Sequence, residues 1–210
     1  MTYDLPPTLG TAKNTEREED PTLVIWETEA NNILKPQEKG VINRESRQLG
    51  PARGLTFQDK DGETINAEET LNYDGQSFKL KVAADGRTIA FLNYVTNGEM
   101  INIGKVDVVI PECKRCGLNT RMFADICKIH PGANCVWKKL DSDNAAAYIN
   151  GLAEGLDPIS AARQTPAGKV SERAGWEIDR EQSSLPSLDS ESRTVRLVYK
   201  RSLAKMVANI

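Results

Sequence analysis

A chain of 210 residues with 39% apolar and 27% charged residues can bury one ordinary core and carries polar segments besides. Its formal net charge of −3 excludes a generally basic nucleic-acid coat, and no apolar run approaches the ~20 residues of a membrane-spanning helix. The start, MTYDLPPTLGTAKNTEREED, has neither a basic leader nor an apolar stretch, so no secretory signal is read there and a soluble, intracellular protein is expected.

Residues 1–20 hold Pro6, Pro7 and Gly10 and a charge balance of −3, and read as an extended N-terminal tail. Thr22–Glu29 (TLVIWETE) follows Pro21 and reads as a first strand, while Pro36, Gly40, Gly50, Pro51 and Gly54 make residues 30–54 irregular. Asp61-Gly62, Asp74-Gly75, Asp85-Gly86 and Asn97-Gly98 then recur at separations of 13, 11 and 12 residues. Such pairs tolerate the positive φ that tight hairpin turns demand. The segments between them predict strands at 55–60, 63–72, 76–83, 87–96 and 99–110. Phe78, Leu80 and Val82 alternate with polar neighbours, and Ile89-Ala90-Phe91-Leu92 is apolar on both faces, which makes that strand central. Ile101 and Ile103 have odd parity whereas Val106, Val108 and Ile110 have even parity, so a β-bulge is expected at Gly104.

Residues 21–110 therefore predict an antiparallel β-meander, closed as a small barrel or sandwich, in a mainly β protein. A helical segment follows at 141–163. Asp141-Ser142-Asp143 caps its first helix, Ala145, Tyr148, Ile149 and Leu152 share a face, Gly155 ends it, and Asp157-Pro158 starts a second helix through Arg163. Residues 164–192, rich in Pro, Gly, Ser and acid, read as a linker. Residues 193–210 carry five cations and no acid and read as a basic C-terminal strand and helix.

The chemistry-bearing cluster is PECKRCGLNTRMFADICKIHPGANCVW. Cys113 and Cys116 form C-x2-C followed by Gly117, with Cys127, His130 and Cys135 downstream. Two thiolates at that spacing, with Gly after the second, resemble a zinc knuckle. The resemblance implies a structural Zn2+ module over 111–140, its four ligands drawn from Cys113, Cys116, Cys127 and Cys135, with His130 replacing one of the last two. Two disulfides and an iron–sulfur cluster are the alternative uses of four clustered cysteines. Lys114, Arg115, Arg121, Lys128, Lys138 and Lys139 against Glu112 and Asp125 give 111–140 a balance of +4, with Trp137 among them.

The chain has one histidine, which leaves a Ser-His-Asp or Cys-His site without a base, and it has no phosphate-binding glycine motif. Asp59-x-Asp61-Gly62 lacks the closing Glu of a calcium loop and reads as a turn. A non-enzymatic structural protein of a larger assembly is therefore expected, a phage virion component for capsid decoration, neck or tail being its concrete form. Its partners would be subunits that include copies of itself, with nucleic acid open and no membrane. A zinc-dependent nucleic-acid-binding protein is the alternative.

Overall fold

The computed structural model describes residues 20–35, 47–137, 142–187 and 195–201. Its centre is one sheet of eight strands in the order β1-β2-β3-β4-β5-β6-β8-β7. The strands are β1 (Arg47–Gln58), β2 (Thr64–Tyr73), β3 (Phe78–Ala84), β4 (Arg87–Thr96), β5 (Met100–Val108), β6 (Asn134–Trp137), β7 (Trp176–Ile178) and β8 (Leu197–Arg201). Five helices accompany them: α1 (Pro21–Leu34), α2 (Leu118–Ile129), α3 (Ser142–Ala153), α4 (Pro158–Gln164) and α5 (Pro166–Arg173).

The meander is where the turn residues place it. Gly62, Gly75, Gly86 and Gly98 all adopt positive φ, between 73° and 93°, and β1 to β5 pair antiparallel in chain order. Alternation puts Leu71, Leu80, Val82, Leu92 and Tyr94 on the buried face. Ile89 and Ala90 are buried as well, as expected of the central β4. The sheet is open among the described residues and closes into neither a barrel nor a sandwich, because β5 pairs not with β1 but with β6, in parallel. A parallel neighbour requires a crossover, and α2 supplies it.

Three expectations change. Thr22–Glu29 is helix, not strand. Asp20 caps α1, its side chain accepting from Thr22 N at 3.0 Å, and Pro21 takes the first turn. The buried residues Leu23, Trp26 and Ala30 then follow a helical spacing, while Val24 and Ile25 stay exposed. Trp26 is fully buried and its indole N–H donates to Pro51 O at 3.1 Å, which fastens α1 to β1. Residues 30–54, expected to be irregular, hold the end of α1 and the start of β1. Residues 164–192, expected to be a linker, hold α5 and β7, and Trp176 and Ile178 are buried. Residues 1–19 of the expected tail, 36–46 of the expected irregular stretch, 138–140 of the expected zinc module, 188–192 of the expected linker and 193–194 and 202–210 of the basic terminus lie outside the described residues. Within that terminus Leu197–Arg201 is the strand it was expected to begin with.

The helices α4 and α5 follow their caps, while Asp141, expected to cap α3, lies outside the described residues. Asp157 accepts from Ile159 N at 3.0 Å and Ser160 N at 3.2 Å, and α4 begins there. In α3 Tyr148 is buried but Ile149 is 54% exposed, so the apolar face is narrower than its four expected members. The buried Thr165 ends α4 and caps α5: its hydroxyl donates to Ala162 O at 2.7 Å and accepts from Gly168 N at 2.9 Å. Thr165→Ala, which removes both bonds, is expected to cost about 1–2 kcal/mol in urea unfolding, whereas Thr165→Ser retains them and most of the stability.

Candidate functional site

The β5–β6 pairing is short. Among the described residues it joins Met100 to Asn134, Ile101 to Cys135, Asn102 to Val136 and Ile103 to Trp137, the last residue described on β6. β5 runs on to Val108 with β4 alone beside it among the described residues, Leu92 opposite Val106 and Ala90 opposite Val108. Among those residues the sheet forks at this point. Gly104 sits at the fork: β4 pairs Asn93 with Lys105 and Tyr94 with Ile103, so Gly104 is the extra residue of a bulge and has no register partner on β4. An added Cβ there would lie 3.4 Å from Asn93 O, an ordinary contact distance. The parity switch had located this bulge.

Beyond Val108 the chain makes a single 3-10 turn at Pro111–Cys113, held by Lys60 N–H donating to Glu112 O at 3.0 Å. Arg115 then takes φ of 68° and Gly117 of 81°, and α2 begins. No side chain caps α2. The N–H groups of Leu118, Asn119 and Thr120, first in the helix, have no intrahelical acceptor, and Oδ1 of Asn119 is buried without a partner. Lys114 and Arg115 are exposed on the loop. An uncapped helix start with flanking cations attracts anions through its N–H groups and its dipole.

The five expected metal ligands separate into two thiol pairs and a histidine. Cys113 is buried in the 3-10 turn. Cys116 is half-buried, its Sγ 3.8 Å from Glu112 O and 3.6 Å from Lys114 O. Burial and the neighbouring Cys116 push the Cys113 thiol above its ordinary pKa. Cys135, on β6, is pushed well up by burial and by Cys127 of α2. His130 ends α2, with Nε2 2.9 Å from the Tyr94 hydroxyl and its ring edge-on to Phe78 and Tyr94. Burial lowers its pKa to about 4, so it is a neutral core imidazole at physiological pH. No disulfide joins the cysteines, and among the described residues no three His, Cys, Asp or Glu side chains gather as a metal-holding group.

The expected cationic set does not share a face. Lys114 and Arg115 lie on the loop, and Lys128 is exposed in the last turn of α2. Arg121 turns toward Glu69 and Asp125, at 3.9 and 3.8 Å. Lys138, Lys139 and the Trp137 side chain lie outside what the structure describes.

One constellation was missed. Arg53 of β1 is buried, its guanidinium bonded to Glu69 of β2 and Asp125 of α2, and to Asp20 at 3.1 Å. It also lies over the Trp26 ring, 5.5 Å from the centroid. Burial, then the nearby Asp125, raises the Glu69 pKa against the pull of Arg53. The signal was available, since Glu69 shares the parity of the apolar Ala67 and Leu71 and so had to face the core. The cluster fastens α2, and with it the helix start, to β1 and β2.

No protein-family model matches the chain, and no curated protein matches it. Among solved structures it is similar to one from Bacillus anthracis assigned as a streptothricin acetyltransferase, in complex with acetyl coenzyme A. The TM-score is 0.35 and the identity 14%, over 75% of this chain and 87% of that one. A protein of unknown function from Aquifex aeolicus gives a TM-score of 0.35 at 9% identity, over 85% of each chain. Against the expected non-enzymatic assembly role and its nucleic-acid-binding alternative stands the finding that the first of these similar structures is an enzyme's. At such TM-scores neither fold nor chemistry is carried over to this chain. No helix among the described residues is long and apolar enough to cross a membrane.

Proposed function

We propose that the protein is an acyltransferase that draws its acyl group from coenzyme A. The observation that carries the reading is the continuity of two backbone features, the edge of β5 over residues 104–108, open among the described residues, and the uncapped start of α2 that follows it. A free strand edge offers N–H and C=O groups to an extended chain that has amides of its own. A helix start offers N–H groups and positive potential to phosphate. Coenzyme A combines both demands in one molecule: a diphosphate, then an extended amide-bearing arm that ends in the thiol.

The residues divide the work accordingly. The N–H groups of Leu118, Asn119 and Thr120 hold the diphosphate, with Lys114 and Arg115 beside it. The arm follows the β5 edge from Val108 toward Gly104, which brings the thioester to the fork. The bulge at Gly104 leaves it outside the β4 register, and its N–H is the donor that would meet the acyl carbonyl oxygen as negative charge develops on it. Bound coenzyme A supplies the activated thioester. An amine would attack the acyl carbon to form the new carbon–nitrogen bond, the carbon–sulfur bond would break, and the leaving thiolate would take up the proton that the amine nitrogen gives up.

Titration calorimetry with coenzyme A tests the reading. Binding is expected, and at about 100 times Kd the ligand adds about 2.7 kcal/mol of stability. Gly117→Val meets no neighbouring atom within 4 Å but strains the φ of 81° and narrows the approach to the helix start. It is expected to weaken coenzyme A about tenfold or more while the fold is kept. Absence of binding at about 1 mM coenzyme A overturns the proposal. A structural zinc on Cys113, Cys116, Cys127, Cys135 or His130 is a separate proposal. Stoichiometric zinc in elemental analysis supports it and implies that residues 113–135 rearrange to gather their ligands.

A further inference from the structure

The face of the sheet opposite the buried Leu80, Leu92 and Tyr94 carries a cationic row that the acyl-transfer reading does not use. The register sets Lys79 of β3, Asn93 of β4 and Lys105 of β5 side by side, with Phe91 in the next row on the same face. Both ammonium groups lean over the Phe91 ring, Lys79 Nζ at 4.9 Å and Lys105 Nζ at 5.2 Å from its centroid. One aromatic ring thus draws together two like charges from strands that flank β4, at roughly 10 Å between outer backbones.

Their charge is only partly answered. Lys105 has Asp107 at 3.4 Å, and Lys79 has no carboxylate partner among the described residues. Between them Oδ1 of Asn93 is buried without a hydrogen-bond partner. The position of the row gives these facts a common use. Lys105 is the residue that follows Gly104, so the row begins beside the bulge to which the acyl-transfer reading assigns the thioester.

We infer that this row is the acceptor subsite, and that the acyl acceptor is a small amine bearing an anionic group, a phosphate or a carboxylate. Lys79 and Lys105 hold the anion, and Asn93 Oδ1 accepts a hydrogen bond from the amine, which directs the nitrogen lone pair toward the acyl carbon. The inference rests on the acyl-transfer reading for the identity of the reaction, while anion binding by the row stands on its own geometry. It also explains why two lysines converge where one long side chain would suffice to cover Phe91.

The test uses O-phosphoethanolamine, β-alanine and ethanolamine as probes in calorimetry with the full chain, together with coenzyme A. O-Phosphoethanolamine or β-alanine is expected to bind at least about tenfold tighter than ethanolamine, and to weaken about tenfold in Lys79→Met and in Lys105→Met. Coenzyme A affinity is expected to stay unchanged in both variants. In thiol-release assays with acetyl coenzyme A the same variants raise KM for the anionic amine and leave KM for acetyl coenzyme A in place. The two anionic probes tell phosphate from carboxylate. Equal binding of all three amines, or anion binding indifferent to both substitutions, overturns the inference whether or not coenzyme A binds. Loss of coenzyme A binding in the unaltered chain overturns the acyl-transfer reading instead.

Discussion

Arg53→Met is expected to destabilise the protein by about 3–5 kcal/mol at neutral pH, the range for removing one partner of a buried ionic cluster. The Arg53 side chain is 8% exposed, that of Glu69 0% and that of Asp125 5%, so water does not replace the lost guanidinium. Methionine fills most of the volume, and the loss is then mainly electrostatic. It comes from two buried carboxylates left facing each other, with only the more distant Arg121 to offset them. Urea unfolding measures it. Adding Glu69→Gln should recover part of the loss, because one of the two facing charges is then gone.

The pH dependence has a definite sign. Burial and Asp125 hold the Glu69 pKa above its ordinary value even with Arg53 present. A raised carboxyl pKa means that the folded state keeps its proton to higher pH than the unfolded chain. The stability this contributes is full below the unfolded pKa and is lost as pH rises through the folded one. Without Arg53 the Glu69 carboxyl moves further up. The penalty of Arg53→Met should therefore be largest near pH 7 and shrink toward pH 5, the carboxylate range approached from above. Asp20 has the opposite sign. Burial opposes its ionisation, but its bond to Arg53 and the Thr22 N–H hold its pKa down, so its contribution is lost as pH falls. In the variant the Arg53 part of that contribution is already absent, which flattens the acid limb of the profile. An equal loss at both pH values would show that packing, not charge, dominates at Arg53.

The meander was legible because its signals are local. Each of its turns carries an Asp-Gly or Asn-Gly pair, and the bulge at Gly104 showed as a change of parity within one strand. Thr22–Ile25 misled for the same reason. A β-branched run favours strand locally, but the Asp20-Pro21 cap and the spacing of Leu23, Trp26 and Ala30 decide for helix once Trp26 docks under β1. What stayed hidden depends on strands distant in the chain. That β6, among the described residues, lies parallel to the first half of β5 alone, and so forks the sheet, follows from where β8 and α2 place it, and NCVW is too short a run to carry a pattern. The cysteines are close in sequence but lie at two places in the fold. Cys113 and Cys116 belong to a turn before α2, whereas Cys127 and Cys135 sit at the far end of that helix and in the strand after it. A helix of 12 residues is about 18 Å long, and it separates the two thiol pairs that the spacing alone had brought together. The same helix, read as a support for backbone N–H groups, is what makes the loop chemically useful.

Gly168→Ala is expected to cost about 3 kcal/mol or more, although alanine is the better helix former and φ at this position is unremarkable. The reason is contact, not conformation. A Cβ at Gly168 would run into the carbonyl oxygen of Ala162, and would lie 2.8 Å from Arg163 O and 2.9 Å from Arg163 C. These are backbone atoms in the last turn of α4, which cannot turn aside as a flexible side chain does. Relief requires α5 to lift away from α4. That movement pulls Gly168 N from Thr165 Oγ1 and disturbs the bond from Ala167 N to Asn144 Oδ1, 2.7 Å long, that ties α5 to α3. Because α5 also packs on α2 and β7, the strain reaches the buried Trp176 and the helix that carries the loop. Thermal unfolding of Gly168→Ala against Gly151→Ala makes the comparison sharp. At Gly151 the nearest atoms are the Ala161 Cβ at 3.1 Å and its Cα at 3.2 Å, where a few tenths of an ångström of movement suffice. Gly168→Ala should lose clearly more stability than Gly151→Ala, and the reverse order would mean that α5 is free to shift on α4 and is not locked by this close approach.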